Sequence, residues 1–303
     1  MPASFLRTAA MLCLLLQAVA TAAQEMTPRA YWPAPEGTQV LTIGGAYTRG
    51  DTVPDPSLPV AGIDSEITTF TLGYLRTFNL WGRTASLVLQ QPYSSGKTVG
   101  EHQELGTLRR EYQGLGDFSA TLSVNLLGAP SMDAAGFAEL RRNPRPIVGA
   151  SLRVVTPSGR YDSDRLINVG TNRWAMKAEV GYIQPLHRRW LLEFELGAWF
   201  FEDNDDFLGV TREQEPIIAA QAHLIRRFAP GFWGSLDFNA YRGGRSTVND
   251  NKLDDLQRDS RLGATFTFPF AGRHALKVSY TQGSVNDSNE NFDIYQVAYQ
   301  RLL

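Results

Sequence analysis

Apolar and polar residues alternate with a period of two along much of this chain, and that pattern restricts it to half-buried β-strands. Leu192, Phe194 and Leu196 lie on one face of such a segment, with Glu193 and Glu195 on the other. Four further segments repeat the pattern: 118–126, 174–182, 232–240 and 261–268. Strands of this kind occur in soluble sandwiches, with the apolar face inside, and in transmembrane barrels, with the apolar face toward lipid. Alternation alone does not separate the two architectures.

The lengths of the connections favour the barrel. Long polar connections, such as 93–115, alternate with short turns, such as 79–82. Long loops on one rim, short turns on the other, an even strand count and both termini on the short-turn side are typical of outer-membrane barrels. We therefore predict an all-β fold, an antiparallel transmembrane β-barrel of about twelve strands with long extracellular loops and short periplasmic turns. The predicted strands lie near residues 39–49, 67–78, 83–92, 116–127, 147–157, 173–184, 189–201, 215–227, 231–242, 260–269, 273–283 and 291–302.

Two details of the barrel follow from this pattern. One connection on the short-turn side, residues 128–145, is long, and its segment 133–141 is expected to form a short amphipathic helix. The last strand must pair with the first, because no strand edge stays open in lipid.

Aromatic residues lie near many of the predicted strand ends. In a membrane barrel they would form interfacial girdles, although aromatic residues are also ordinary core residues. The candidates for these girdles are Trp81, Trp174, Trp190, Trp199, Phe200, Phe232, Trp233 and Tyr280.

The N-terminus has the features of an export signal. Arg7 supplies a positive charge, residues 9–16 are an apolar run too short to span a bilayer, and alanines follow at a site that a signal peptidase would cleave. We expect a signal peptide at residues 1–23, a periplasmic segment at 24–38 and the barrel at 39–303. Within the segment at 24–38, Tyr31 and Trp32 are expected either to fold into the periplasmic mouth or to stay disordered. The single cysteine, Cys13, would be removed with the signal.

Composition excludes several other classes. Lys and Arg number 29 against 31 Asp and Glu, and the net charge of −2 gives no electrostatic reason for nucleic-acid binding. The hydrophobic fraction of 43% is too high for a disordered chain. After the signal, no apolar run of about 18 residues encodes a transmembrane helix. The expected location is the bacterial outer membrane.

Four motifs connect the chain to a known family. They are Gly-Leu-Gly-Asp at 114–117, Asn-Val-Gly-Thr-Asn-Arg at 168–173, Glu-Asp-Asn-Asp-Asp at 202–206 and Tyr-Arg-Gly-Gly-Arg at 241–245. Over residues 39–303 the chain resembles the transporter family associated with the meta-cleavage pathway of phenol degradation. The resemblance implies an outer-membrane barrel that admits aromatic or other hydrophobic compounds. The chain departs from many such barrels in ending with Leu303 instead of Phe or Trp, the signal for the insertion machinery.

Charged residues on the polar faces are expected to line the lumen. Four basic and four acidic side chains would give a mixed field, which argues against strong charge selectivity. Alternatively, these side chains pair across neighbouring strands and fill the lumen. The eight predicted pore-lining residues are Arg153, Lys177, Glu179, Glu193, Glu195, Asp237, Arg261 and Lys277.

Two extracellular loops carry candidates for a gate or a ligand contact. The same residues also suit turn and capping chemistry. The acidic loop could bind a divalent cation, but it lacks the Gly turn and terminal Glu of a calcium loop, and we predict no metal site. The candidates are Asn168, Thr171, Asn172 and Arg173 in one loop, and Asp203, Asn204, Asp205 and Asp206 in the other.

The function that these features favour is passive uptake of small, aromatic or hydrophobic compounds, without a cofactor. The expected partners are outer-membrane lipid, lipopolysaccharide, the barrel-insertion machinery and the solute, with no nucleic acid. A barrel that only anchors or binds, a barrel-borne hydrolase and a soluble lectin-like sandwich are the alternatives. Against a hydrolase, His223 has no serine two residues away on its strand face. Glu193 and Glu195, about 7 Å apart on one face, are compatible with glycosidase carboxylates but read more simply as pore charges.

Overall fold

The computed structural model describes residues 26–54, 63–102, 106–283 and 292–303. The predicted signal peptide at 1–23 lies outside these residues and stays a prediction. In the described ranges the chain forms seventeen strands and one helix. They are β1 (Gln39–Gly50), β2 (Ile63–Leu80), β3 (Arg83–His102), β4 (Gly106–Leu115), β5 (Ser119–Leu127), α1 (Ala134–Arg142), β6 (Ile147–Val155), β7 (Ala175–His187), β8 (Trp190–Phe201), β9 (Asn204–Phe207), β10 (Val210–Gln214), β11 (Ile217–Ala229), β12 (Phe232–Gly243), β13 (Ser246–Val248), β14 (Asn251–Lys252), β15 (Gln257–Phe270), β16 (His274–Gly283) and β17 (Phe292–Leu302).

Twelve of these strands close into an antiparallel barrel. Around the barrel their order is β1, β2, β3, β5, β6, β7, β8, β11, β12, β15, β16 and β17. The last strand pairs with the first, with Val40 opposite Leu302 and Gly50 opposite Phe292. The predicted twelve-stranded barrel and its closure are therefore confirmed.

The outer face of the barrel is apolar over its middle. Large hydrophobic side chains are exposed there on strand after strand, among them Ile43, Leu72, Leu122, Leu152, Val180, Leu196, Leu236, Leu262 and Phe266. An apolar surface that encircles a protein is not stable in water, whereas it matches the lipid-facing band of an outer-membrane barrel. The barrel thus spans the outer membrane, and the alternative of a soluble sandwich is wrong.

The described residues include no helix that is both long and apolar enough to cross a membrane.

The interfacial girdle was predicted wrongly at two positions. Trp199 and Trp233 are 0% and 8% exposed and point into the barrel. Each has an odd number on a strand whose even-numbered residues, such as Leu196 and Leu236, face lipid. Proximity to a strand end does not determine which face a side chain occupies, because neighbouring residues of a strand point to opposite faces.

The short-turn rim contains the predicted helix. Trp81 and Gly82, both at positive φ, form the tight turn between β2 and β3. In the long connection between β5 and β6, Asp133 caps α1 by accepting a hydrogen bond from the Gly136 N–H at 2.8 Å. Leu140, the buried residue of α1, packs against apolar residues such as Ile147 and Ile183 at the periplasmic end of the lumen. The predicted amphipathic helix is confirmed.

The extracellular connections contain more strand than predicted. In place of a loop at 93–115, β3 continues beyond the membrane and pairs with β4. In place of loops at 202–214 and 243–259, four short strands form a second sheet in the order β14, β13, β10 and β9. These segments are held by backbone hydrogen bonds and have few apolar residues, so the periodicity that marks membrane strands is missing from them.

Candidate functional site: the barrel lumen

The N-terminal segment, residues 26–38, enters the lumen from the periplasmic rim. The backbone N–H of Arg29 donates to Glu193 Oε2 at 2.6 Å, and that of Thr27 donates to Gln221 Oε1 at 3.3 Å. Both acceptors belong to inward faces of barrel strands, β8 and β11. The segment predicted to precede the barrel in the periplasm thus extends into the barrel and occupies part of its interior.

Tyr31 fills a slot in the inner wall of the barrel. Its ring lies across Gly149 of β6 and Gly181 of β7, which face each other in the strand register. A Cβ atom added to either glycine would lie 2.1 Å from a ring carbon. The Tyr31 hydroxyl lies 2.9 Å from Ser151 Oγ and donates to Glu179 Oε1 at 3.1 Å. Because glycine has no Cβ atom, the Tyr31 ring can lie directly against the backbone at these two positions.

Trp32 belongs to an apolar layer that closes the periplasmic end of the lumen. The guanidinium of Arg29 lies 5.6 Å from the centre of the Trp32 ring, and that of Arg227 lies 5.0 Å from it. The layer combines the segment, the connection that carries α1 and the inner ends of five strands. Its buried members are Tyr31, Trp32, Ala129, Leu140, Ile147, Ile183, Leu191, Ile225 and Trp233.

A polar layer lies next to this apolar layer toward the extracellular side. Gln221 Nε2 donates to Glu195 Oε2 at 2.7 Å and to Glu179 Oε2 at 3.3 Å, and Glu179 also pairs with Lys177. In a second group, His223 Nδ1 lies 2.8 Å from Asp237 Oδ1. Buried charges of this kind stay in place only when partners compensate them, and here opposite charges and amides alternate.

The opposite half of the lumen wall is different. On β16, β17, β1, β2, β3 and β5 the inward side chains are almost all uncharged, and hydroxyl and amide groups lie among apolar residues such as Val40 and Val88. Many of the polar side chains are partly exposed although they point inward. Examples are Thr42, Thr71, Thr121, Ser123, Ser279 and Gln296. Among the inward residues of these six strands whose side chains the structure describes, Lys277 is the one that carries a charge. This half, which we call the neutral strip, borders solvent-accessible space beside the N-terminal segment.

The structure places all eight predicted pore-lining residues on inward faces. Six of them, Lys177, Glu179, Glu193, Glu195, Asp237 and Arg261, are buried, each less than 8% exposed. Arg153 and Lys277 are partly exposed, and Lys277 belongs to the neutral strip. The inward face is the one that the alternation assigned, whereas a role in transport stays a prediction for each of them.

The first group of loop candidates lies in the connection between β6 and β7. Asn168 ties its own loop, with Oδ1 accepting from the Asp162 N–H at 3.0 Å and Nδ2 donating to the Arg165 carbonyl at 2.8 Å. Arg173 is 2% exposed, and its guanidinium lies 4.5 Å from the centre of the Phe201 ring and donates to Gln214. These contacts stabilise the loop conformation, and a gating role stays a prediction.

Asp117, from the first of the four motifs, fixes this loop to the top of β5. Its Oδ1 accepts from the Gly159 N–H at 2.7 Å, and its Oδ2 accepts from the Thr171 N–H at 2.8 Å and hydroxyl at 2.7 Å. Asn172, at φ +55°, donates from Nδ2 to Asn204 Oδ1 at 3.0 Å. Thr171 and Asn172 therefore connect the loop to its neighbours.

The acidic loop is bound to the same network through one residue. Asn204 is 2% exposed and donates from Nδ2 to the Tyr161 hydroxyl at 2.9 Å, while Asp203, Asp205 and Asp206 are exposed. No group of three or more His, Cys, Asp or Glu side chains in the described ranges is arranged to hold a metal ion.

A cavity of 630 Å³ lies beside these loops at the extracellular end, where β1 to β4 meet the connection between β6 and β7. Tyr112, from β4, lies in its wall with the ring against Gly96, and burial raises the pKa of Tyr112 to about 12. Three acidic and three basic residues share the lining: Glu66, Glu111, Asp162, Lys97, Arg160 and Arg165.

Several residues of the lumen were not predicted from the sequence. Gly149 and Gly181 give no chemical signal, because their role is to lack a side chain. Gln221 is neutral, and the alternation pattern marks only charged residues as candidates for the pore lining. Tyr31 and Trp32 were noted as an aromatic pair before the first strand, but nothing local in the sequence indicates their partners.

Comparison with solved structures supports the fold. The chain is similar to an outer membrane channel from Pseudomonas putida F1, with a TM-score of 0.74 and 20% identity over 92% of this chain and 100% of that one. It is also similar to the transport unit of the autotransporter AIDA-I from Escherichia coli, with a TM-score of 0.52 and 9% identity over 98% of each chain. At these identities the likeness concerns the fold.

Comparison of sequences gives the family. No curated protein matches the chain significantly. A family model described as "Putative MetA-pathway of phenol degradation" matches residues 45–298, and the chain belongs to that family.

Proposed function

We propose that this protein is an outer-membrane channel for the passive uptake of small aromatic or hydrophobic compounds. The observation that carries the proposal is the neutral strip, a partly exposed and almost uncharged wall that runs beside the N-terminal segment. Family membership supports the same function, since the family is described by phenol degradation. The channel of Pseudomonas putida F1 has a similar fold and is itself named an outer membrane channel.

The lining of the neutral strip suits neutral solutes. Hydroxyl and amide side chains hydrogen-bond a phenol. A ring of like charges would attract ions strongly, and the described residues of the neutral strip do not form one. The opposite wall carries the charges in a buried network that is already compensated. While the N-terminal segment is docked, the solute therefore follows the neutral strip, with Lys277 and Arg153 as the predicted charged residues that it meets.

The N-terminal segment acts as a gate in this proposal. It is anchored by hydrogen bonds to Glu193 and Gln221 and by the apolar layer around Trp32. Transport runs down a gradient, because nothing in the proposed mechanism couples it to an energy source. The loop candidates from Asn168 to Arg173 and from Asp203 to Asp206 would shape the extracellular entrance.

The exterior of the barrel supports the proposed lipid partners. Its apolar band contacts outer-membrane lipid, and the charged outward residues beyond the band, such as Arg49, Glu66 and Lys97, lie at the level of lipopolysaccharide. The insertion machinery would recognise the last strand of the barrel, β17.

We assign no catalytic step to the chain. His223 and Asp237 are the pair that most resembles catalytic machinery, and both are less than 4% exposed. The hydroxyl of Thr265 donates to Asp237 Oδ2 at 2.8 Å, so both oxygens of this carboxylate have a partner. This arrangement supports a structural role within the polar layer.

Two neighbouring substitutions on β2 test the proposal. Thr71 faces the neutral strip and Leu72, which is 56% exposed, faces lipid. Thr71→Trp would narrow the passage, whereas Leu72→Trp places the same side chain in the bilayer. We expect cells that express Thr71→Trp to take up radiolabelled phenol at the rate of cells without the protein, and cells with Leu72→Trp to match wild type. Equal uptake by both variants and by cells without the protein would contradict transport and favour a barrel that only anchors or binds.

A further inference from the structure

We propose that the slot between Gly149 and Gly181 is a binding site for phenols and that Tyr31 occupies it as a tethered ligand. This inference rests on the proposed function and names its substrate class. The side chain of tyrosine is itself a phenol with a para substituent. A wall that fits this side chain fits the free molecule of the same chemistry.

The strand register builds the slot. Gly149 lies opposite Gly181, and two residues toward the extracellular side Ser151 lies opposite Glu179. Two residues along a strand cover about 7 Å. A phenol ring that lies across the glycine pair therefore places its hydroxyl at the Ser151 and Glu179 pair. The observed position of Tyr31, which is 2% exposed, has this geometry.

The end of the slot selects for a hydroxyl group. Glu179 is held in place by Lys177 and by Gln221, so its Oε1 is fixed as an acceptor. An aromatic compound without a hydroxyl would leave this buried acceptor without a donor. Sites built to hydrogen-bond a ligand reject analogues that lack the group for this reason.

The tether makes the site conditional. A ligand on a short linker has an effective concentration on the order of millimolar, so free phenol at lower concentration does not displace Tyr31. The slot becomes available when the segment withdraws, that is, when the contacts of Arg29 and Trp32 are released. Occupation of the slot by a phenol would then oppose the return of Tyr31 and hold the segment out of the lumen.

The test measures binding of p-cresol, the tyrosine side chain as a free molecule, to the purified full-length barrel in detergent micelles by calorimetry. Tyr31→Ala vacates the slot, and Tyr31→Phe keeps the ring but leaves Glu179 Oε1 without its donor and Ser151 without its partner. We expect saturable binding whose affinity is highest for Tyr31→Ala, lower for Tyr31→Phe and lowest for wild type. The dissociation constants of Tyr31→Ala and wild type should differ by about tenfold. Toluene should bind Tyr31→Ala about tenfold more weakly than p-cresol. A gel shift between unboiled and boiled samples verifies that each variant is folded.

Gly181→Ala combined with Tyr31→Ala is the matched control, because the new methyl group fills the slot without restoring the tyrosine. Loss of p-cresol binding in the double variant supports the proposal. Equal binding by wild type and Tyr31→Ala, or binding that survives Gly181→Ala, would overturn it. Failure of the slot is distinct from failure of the channel, because the Thr71→Trp and Leu72→Trp pair measures uptake in cells independently of binding in micelles.

Discussion

The substitution Gly181→Ala should displace the N-terminal segment from the lumen while it leaves the barrel intact. The added Cβ would lie 2.1 Å from both Cδ2 and Cε2 of Tyr31, against an ordinary contact of about 3.4 to 4 Å. The ring has to leave the wall, since the glycine it contacts belongs to a backbone fixed on both sides by β6 and β8. The strand itself tolerates alanine, which loses less conformational freedom than glycine on folding.

The magnitude follows from two contributions. Overpacking costs about 1 to 3 kcal/mol. Moving the ring also breaks the hydrogen bonds of its hydroxyl to Ser151 and Glu179, at about 1 kcal/mol each. The docked state thus loses about 3 to 5 kcal/mol, which changes the ratio of docked to undocked segment by about a hundredfold to several thousandfold.

Single-channel recording in planar bilayers measures this change. We expect Gly181→Ala to populate a conductance level larger than that of wild type. Gly44→Ala is the matched control, because it is an inward glycine of β1 whose added Cβ would meet its nearest neighbour at 3.7 Å, an ordinary contact. If Gly181→Ala, Gly44→Ala and wild type had equal conductance, the segment would not be a gate that the Tyr31 ring holds against the barrel wall.

Three further predictions concern charge and the extracellular loops. Lys277→Glu should shift the ion preference of the channel from anions toward cations in reversal-potential measurements, because Lys277 is partly exposed in the neutral strip. The buried Glu195→Gln should leave the preference unchanged. Asp117→Asn should weaken the anchoring of residues 156–174 by about 1.5 to 3 kcal/mol and so speed tryptic cleavage after Arg165. The control is Asp203→Asn, at an exposed position. Equal cleavage rates for the two variants would contradict the role of Asp117. Lys252 donates a hydrogen bond to Glu215 and lowers the pKa of that carboxyl. The pair therefore stabilises the extracellular sheet at pH values above the ordinary glutamate pKa, and this contribution is lost as the pH falls through the lowered pKa. Lys252→Met should return the pKa of Glu215 to its ordinary range in an NMR titration, and a pKa that stays low would exclude the pair as its cause.

The sequence was sufficient for the membrane-spanning part of the fold because alternation reports which face is apolar. The same alternation placed Lys177, Glu193 and Arg261 on the inner face. It did not extend to the hairpin of β3 and β4 or to the second extracellular sheet, where backbone hydrogen bonds and not burial define the strands. Trp199 and Trp233 lie near strand ends but on the inward faces of β8 and β12, so nearness to a strand end does not predict a place in the girdle.

The gate could not be predicted from local sequence. Tyr31 lies more than 100 residues from its partners Gly149, Ser151 and Glu179. Two of the features that form its seat are absences, the missing side chains of Gly149 and Gly181. A single sequence gives no sign that two glycines on different strands face each other until the register is known.

The central claim is that a passage for small aromatic solutes runs beside the N-terminal segment. Single-channel conductance of the purified, heat-modifiable protein in a planar bilayer, with and without phenols and aromatic acids, tests it most directly. We expect small discrete current steps that these solutes interrupt. A correctly folded protein that gives no steps, or steps that neither class of solute affects, would contradict it.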